Sequence, residues 1–118
     1  MIGRISGPKE INIAQNNTRA WHKRYLEQAK WTADLRTYLI GKSKLSSGCS
    51  VLDVGCGTGS LISEFQVRGI DYYGIDLSYR SIQHAHKLFP SSILLQGDGF
   101  SLPFDRDIYD LTFCHFLL

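Results

Sequence analysis

The segment VLDVGCGTGS (51–60) constrains the fold of this chain more than any other feature of its sequence. A short apolar run ends directly in glycines at 55, 57 and 59, and an apolar pattern of helical period follows at 61–69. This order is typical of a buried strand that turns sharply into a helix, because glycine lets the backbone turn and places no side chain between chain and ligand. The segment therefore predicts an α/β sheet with a nucleotide-like ligand at the glycine loop, and a plain tight turn is the alternative.

Predicted strands and helices alternate after the glycine loop. Apolar runs at 72–76, 92–96 and 109–118 predict three further strands, and a helix from an N-cap at Ser78 to about Phe89 separates the first two of them. Successive strand–helix–strand units build a parallel sheet, which needs helices on both faces. We therefore expect a doubly wound parallel α/β sheet.

Two predicted segments precede the first strand. Residues 1–17 contain Gly, Pro, Asn and Gln without an apolar period, and predict a flexible N-terminal arm. Residues 18–47 repeat apolar side chains every three or four positions, and predict a helical segment that Asn17 or Thr18 caps. This segment is one long helix, or two helices with a break near Trp31–Thr32.

The glycine spacing differs from that of a dinucleotide-binding loop. Counted from Gly55, the G-x-G-x-x-G/A pattern places its third small residue at Ser60, whereas the third glycine of this chain is Gly59. We expect the helix that begins near Ser60 to point unpaired N–H groups toward the ligand. An NAD(P)-binding oxidoreductase fragment stays an alternative, and the position of Gly59 argues against it.

A carboxylate follows each of the next two predicted strands. Asp76 ends the second strand and could accept hydrogen bonds from both ribose hydroxyls of an adenosine ligand; the alternative is a helix cap, for which Ser78 is better suited. Asp98 lies between Gly97 and Gly99 and could accept from the exocyclic amine of adenine; the alternative is a turn residue. Open α/β sheets bind ligands at the carboxyl ends of their strands, where both side chains are expected.

Four segments together resemble the class I S-adenosylmethionine (SAM) dependent methyltransferases, in the branch with a "GD…LPF…FDL" signature. These segments are the first SAM motif VLDVGCGTG (51–59), the ribose-binding strand end GIDLS (74–78), the adenine-binding segment GDGFSLPF (97–104) and the fourth strand YDLTFCHFLL (109–118). Tyr109 stands where the family commonly has Phe. The resemblance runs from Val51 to the last residue, and this branch of the family leans toward small-molecule methyl acceptors.

The resemblance implies a fold and a reaction. It implies a Rossmann-like sheet that holds strands 1–4 of the seven-stranded methyltransferase fold in the order 3-2-1-4, within a SAM-binding domain at 48–118 that is incomplete at its C-terminus. The implied function is methyl transfer from SAM to an unidentified small-molecule acceptor. A non-catalytic SAM-binding or interaction module stays a second alternative. Because the absent half of the fold carries most of the acceptor pocket, we expect the 118 residues alone to be inactive.

The resemblance also implies roles for individual residues. Asp53 orders the glycine loop near the methionine end of the cofactor, Leu77 packs against adenine, and Cys114 faces the sulfonium region. The complete set of implied cofactor-binding residues is Asp53, Gly55, Cys56, Gly57, Asp76, Leu77, Asp98, Gly99 and Cys114. No catalytic residue is assigned; His115 is a candidate general base, although a structural role at the strand end is favoured.

A helix before the first motif often covers the cofactor in this family. Trp21, Tyr25, Arg19 and Arg24 are candidates for that role, with an arginine pairing the methionine carboxylate. The alternative, which the residues favour, is that the aromatic side chains form the packing face of an amphipathic helix.

Composition and charge limit which binding partners and which cellular compartment we expect. A net charge of +2, without a basic stripe, does not favour nucleic acid, and no apolar run is long enough for a membrane helix. Three cysteines and four histidines show no metal-ligand spacing, so we expect no metal, reduced thiols and a cytoplasmic protein. The apolar fourth strand lacks charged or proline residues to protect its edge. We therefore expect either a homodimer through that strand or a chain that is part of a longer protein.

Overall fold

The computed structural model describes residues 8–103 and 108–114. The described chain contains four helices and four strands, in the order α1 (Pro8–Trp31), α2 (Ala33–Lys42), β1 (Ser50–Val54), α3 (Ile62–Val67), β2 (Asp71–Asp76), α4 (Tyr79–Leu88), β3 (Ile93–Gln96) and β4 (Leu111–Cys114). The alternation of strands and helices after β1 confirms the predicted α/β class.

The strands form one parallel sheet in the order β3-β2-β1-β4. In the register of this sheet, Asp53 on β1 lies beside Gly74 on β2 and Phe113 on β4. All four strands therefore end at one edge, and the segments that follow β1, β2 and β3 meet there. The predicted strand order 3-2-1-4 is confirmed.

The side chains of β1 alternate between two apolar clusters on opposite faces of the sheet. The larger cluster includes Val51 and Tyr72 from the strands and buried residues from all four helices, with Phe65 of α3 between the rings of Tyr72 and Phe113. The smaller cluster, on the other face, centres on Leu52 and contains strand residues without a described helix. The described helices therefore pack together on one face.

Two predictions about the N-terminal region have different outcomes. The flexible arm predicted for residues 1–17 is wrong from Pro8 onward, because α1 begins there and passes through the predicted caps Asn17 and Thr18; residues 1–7 lie outside the described residues. Proline fits the first turn of a helix, and asparagine and glutamine cost a helix interior only a few tenths of a kcal/mol each, roughly. The predicted break near Trp31–Thr32 is confirmed, since α1 ends at Trp31 and α2 begins at Ala33.

The ends of α4 agree with their sequence signals, whereas the start of the fourth strand does not. Ser78 caps α4 by accepting a hydrogen bond from the Ser81 N–H at 3.2 Å, and α4 ends before Pro90. The fourth strand covers Leu111–Cys114, so the predicted strand start at 109 is wrong, because residues 109 and 110 form a bend before the strand. His115 and the residues after it lie outside the described residues. None of the helices in the described ranges is long and apolar enough to cross a membrane.

We expect the replacement Phe65→Ala to destabilise the protein strongly. The Phe65 side chain is 2% exposed, and its removal leaves a cavity between α3 and the sheet, at a cost of about 3–5 kcal/mol in the free energy of unfolding. Urea denaturation measures this cost. Val67→Ala is the matched control on the same helix, because Val67 is 87% exposed and its truncation should change stability by no more than about 0.5 kcal/mol. Equal losses in the two variants would contradict the packing described above.

Candidate functional site

The glycine loop between β1 and α3 has a backbone that only glycine adopts easily. Gly55, Gly57 and Gly59 all have positive φ angles, of 80°, 57° and 82°. Gly59 is also packed tightly, since a Cβ atom there would lie 2.5 Å from Cδ1 of Ile62 and 3.2 Å from Cβ of Ala85. Gly59 therefore lets the loop lie against α3 and α4, which a side chain at this position would prevent.

The N–H groups of this loop bond mainly within the protein. Those of Gly55 and Cys56 both donate to the Ile75 carbonyl, at 2.8 and 3.1 Å, and that of Gly57 donates to the Asp76 carboxylate at 2.8 Å. The N–H of Ile62, the first residue of α3, donates to the Gly59 carbonyl at 3.2 Å. These groups do not point to a ligand, so the expectation that the helix start offers unpaired N–H groups fails for them. A pyrophosphate needs such donors, which argues further against an NAD(P) site.

The carboxylate of Asp76 joins the glycine loop to the start of α4. Its Oδ2 accepts from the Gly57 N–H and its Oδ1 accepts from the Ser78 N–H, each at 2.8 Å. The side chain is partly exposed, and each oxygen keeps a second lone pair for a ligand hydroxyl. Asp76 therefore braces the loop, Ser78 caps the helix, and a ribose role for Asp76 stays a prediction.

Three further predicted residues lie in the segments that follow β2 and β3. The Leu77 side chain is 67% exposed, directly after the end of β2. Asp98 is exposed and its Oδ1 accepts from the Phe100 N–H at 2.9 Å, which is the turn role considered for it. Gly99 packs so closely on the end of β1 that a Cβ atom there would lie 2.7 Å from Cγ1 of Val54. The segment 97–99 is thus held beside the end of β1.

Asp53 is a buried carboxyl group beneath the glycine loop. The residue is 2% exposed, its Oδ2 accepts a hydrogen bond from the Tyr72 hydroxyl, and its Oδ1 has no partner among the described residues. Burial raises the pKa of Asp53 to about 7, against the opposing effect of the Tyr72 hydrogen bond. Near neutral pH this group therefore exists in both protonation states and can either donate or accept at Oδ1.

The two predicted cysteines have different surroundings. The Cys56 side chain is buried against Gly74, where a Cβ atom would lie 2.8 Å from the sulfur, and burial raises the pKa of its thiol. The thiol is therefore neutral and faces the core, so only the backbone of Cys56 belongs to the loop surface. Cys114 is exposed at the carboxyl end of β4, beside Val54 in the register. No group of three or more potential metal ligands occurs in the described part of the chain.

Helix α1 lies directly on the glycine loop. The Tyr25 ring lies 3.7 Å from the position that a Cβ atom on Gly57 would occupy, and Nδ1 of His22 lies 2.6 Å from Oγ1 of Thr58. Trp21 stacks on Tyr25 but is 49% exposed, with Arg24 over its ring. Of these aromatic residues, Tyr25 therefore packs as the sequence favoured, and the surface that it packs against is the candidate site itself.

Sequence reasoning did not identify His22, Thr58 and Tyr72 as part of this site. In the sequence, His22 is only one of four histidines without metal-ligand spacing, and its partner Thr58 is 36 residues away. The signal for Tyr72 was present: an aspartate in a buried strand needs a hydrogen-bond donor, and a tyrosine in the neighbouring strand can supply it.

Comparisons with known proteins agree with this geometry. The model of a methyltransferase domain family matches residues 51–118. A relative from Streptomyces venezuelae, a dTDP-3-amino-3,4,6-trideoxy-alpha-D-glucopyranose N,N-dimethyltransferase, is 37% identical over 76 residues, which are 64% of this chain and 30% of the relative. The chain thus spans about a third of the length of that relative.

Solved structures share the fold. DesVI of Streptomyces venezuelae is 28% identical and superimposes with a TM-score of 0.60, covering 96% of this chain and 44% of DesVI. PKMT2 of Rickettsia typhi, in complex with AdoHcy, is 25% identical with a TM-score of 0.50, covering 58% of this chain and 15% of that one. The fold of this chain is therefore shared with these structures.

We expect Asp53→Asn to remove a pH dependence of stability. Folded Asp53 keeps its proton up to about pH 7, whereas in the unfolded chain an aspartate loses it near pH 4, roughly. The folded state binds more protons in this window, so the free energy of unfolding of the native sequence falls as pH rises from about 4 to about 7. Each pKa unit is worth about 1.4 kcal/mol, so this loss is of the order of a few kcal/mol.

Urea denaturation at intervals between pH 4 and pH 8 measures this dependence. Asp71→Asn is the matched control, since Asp71 is exposed at the opposite end of β2 and its replacement should leave the slope unchanged. A slope that is the same in Asp53→Asn and the native protein would show that Asp53 ionises in the folded state as it does in water.

Proposed function

The chain belongs to the class I SAM-dependent methyltransferases, and we propose that it binds SAM at the carboxyl edge of β1, β2 and β3 as the cofactor-binding part of such an enzyme. The observation that carries this proposal is the glycine loop braced by Asp76 beside the exposed Leu77. Such a site offers carboxylates and an apolar surface, where a phosphate site would offer free N–H groups and cations.

The residues present suit the chemistry of SAM. Its amino group, ribose hydroxyls and adenine amine are hydrogen-bond donors, and carboxylates accept from all of them. We assign the ribose to Asp76, the adenine face to Leu77, the adenine amine to Asp98 and an adenine ring nitrogen to the Gly99 N–H. Asp53 and the backbone of Gly55, Cys56 and Gly57 would hold the methionine portion, with Cys114 beside the sulfonium. The unpartnered Oδ1 of Asp53 supports its place in this set.

Positioning is the main task of the chain's own residues in this reaction. SAM, when bound, supplies a methyl group already activated on a positively charged sulfur, so rate depends on holding the acceptor atom in line with it. The rigid loop contributes by fixing one end of the ligand, since Gly57 and Gly59 cannot shift without breaking the contacts described above. A base is required only for an acceptor that must lose a proton, and His115 stays the candidate for it.

The acceptor that we propose is a small molecule, and the proposed compartment is the cytoplasm. The relative that acts on a dTDP-linked amino sugar supports a small acceptor, although this chain spans only 30% of it. An NAD(P)-dependent oxidoreductase has no support among the relatives described above. Homodimerisation through the edge of β4 stays a prediction, which sedimentation of the protein would test.

We expect Asp76→Ala to weaken the binding of both SAM and its demethylated product. The loss is about 1.5–3 kcal/mol, the range for hydrogen bonds to a charged group, and isothermal titration calorimetry measures it. Asp76→Asn retains one oxygen for the Gly57 N–H but loses the acceptor for the Ser78 N–H and the negative charge, so it should weaken binding less than Asp76→Ala. The native protein should show no heat of binding with NAD.

The control for this measurement is Asp71→Asn, which removes a carboxylate from the same strand at the end far from the loop. Its affinities for SAM and the demethylated product should equal those of the native protein. Unchanged affinity in both Asp76 variants would refute the ribose assignment, and binding of NAD in place of SAM would refute the proposed cofactor.

A further inference from the structure

Three elements meet at a pair of histidines beside the glycine loop. His22 of α1 contacts Thr58 of the loop, and the centroids of the His22 and His84 rings are 5.0 Å apart, with His84 on α4. Thr58 is 1% exposed and lies between Gly57 and Gly59. A change at this pair therefore acts on the loop, on α1 and on α4 together.

Side chains one helical turn apart on α1 contact the loop and the core. Tyr25, one helical turn after His22, covers Gly57, and Ala29, one turn further, is buried in the larger core cluster. Several large apolar side chains of α1 remain exposed, among them Trp31 at 77% and Leu26 at 41%. His22 therefore makes a polar contact that helps to position this part of α1 on the loop.

We propose that His22 is a positioning residue for the cofactor site: it holds α1 and Tyr25 against the glycine loop through Thr58 and His84, and protonation of the histidine pair releases α1 and weakens cofactor binding. This inference rests on the proposed function, because the ligand whose affinity changes is SAM or its demethylated product. The role concerns the position of the loop, and His22 takes no part in the chemistry.

The surroundings of the pair favour its neutral form. The positive charges of Arg19 on α1 and Lys87 on α4 disfavour a proton on His84. The loop presents the neutral hydroxyl of Thr58 to His22. Nε2 of His84 is shielded from solvent and has no hydrogen-bond partner among the described residues, so a proton placed there would be unsatisfied. Two charged rings at this distance would also repel each other.

The direction of the pH dependence follows from these surroundings. Burial lowers the pKa of both His22 and His84, and the positive charge of each neighbour lowers it further. We call the arrangement with α1 held against the loop closed. It therefore binds fewer protons than an arrangement with α1 released, in which histidine titrates near pH 6.5, roughly. Closure is complete at pH 8 and weakens as pH falls below about 6.5.

Calorimetric titration of the demethylated product at pH 8 and pH 5.5 tests the inference with four proteins. In the native protein, affinity should fall several-fold on acidification, because protonation of the histidine pair opposes the contact of α1 with the loop. His22→Leu should bind about two- to tenfold more weakly at pH 8, for the loss of one hydrogen bond. His22→Gln, whose amide can still bond Thr58, should restore affinity at pH 8 with a smaller acid-dependent loss, because only His84 of the pair then remains to be protonated.

His86→Gln is the matched control. His86 is exposed on α4, two residues after His84, and its replacement should leave the pH profile of the native protein unchanged. Asp53 also titrates in this range, but it is present in all four proteins, so its effect cancels when the profiles are compared. The inference is overturned if His22→Leu binds as tightly as the native protein at pH 8, or if His22→Gln keeps the native pH profile.

Hydrogen exchange without any ligand separates this inference from the proposed function. Protection of the amides at 55–60 should decrease between pH 8 and pH 5.5 in the native protein and in His86→Gln, and should decrease less in His22→Gln. Absence of SAM binding in the native protein at pH 8 would refute the proposed function, and the exchange data would still decide the role of His22. Equal protection at both pH values in the native protein would contradict release of α1.

Discussion

The hydrogen bonds that tie the glycine loop to the end of β2 are the constraint on which the site depends. The Ile75 carbonyl accepts from two successive loop N–H groups and the Asp76 carboxylate accepts from a third, while the same carboxylate accepts from the Ser78 N–H at the start of α4. These hydrogen bonds hold the N–H groups of residues 55–57 within the protein, so these three groups do not point to an anionic ligand. In the proposed site, ligand recognition at this edge falls to carboxylates, an exposed leucine and the segment after β3.

Two further sets of contacts support the glycine loop, one below it and one above it. Below the loop, Asp53 is buried beside Tyr72, and the cost of that burial appears as a raised pKa of the carboxyl group. Above it, α1 rests on the loop through His22 and Tyr25. The two supports respond oppositely to pH, since ionisation of Asp53 opposes folding as pH rises and protonation of the histidine pair opposes closure as pH falls.

Much of the fold could be predicted because its signals are local. Each strand has a short apolar run, Ser78 precedes its helix in the usual capping position, and the parallel order 3-2-1-4 follows from the resemblance carried by four short segments. The edge positions of Asp76, Leu77 and Asp98 followed from the same pattern. By contrast, the start of α1 was not predicted. This part of the chain contains asparagine and glutamine residues, which a helix tolerates but which do not indicate one.

The support of the loop could not be predicted, because it depends on contacts between residues far apart in the sequence. Nothing local to His22 indicates that its ring meets Thr58 and His84, and the aromatic spacing of α1 shows a packing face without showing what lies under it. The sequence also did not predict that N–H groups of the loop bond within the protein. The glycine spacing of this chain differs by only one position from that of a phosphate-binding loop.

We propose that the carboxyl edge of the sheet binds SAM through Asp76 and the segments after β2 and β3. The most direct test is an amide NMR titration of the protein with the demethylated product of SAM. The account predicts saturable shifts of the amide signals of Gly57, Leu77 and Gly99, with the signals of Val67 and Asp71, at the opposite end of α3 and β2, unchanged. Shifts confined to residues away from this edge, or no shifts at saturating ligand, would contradict it.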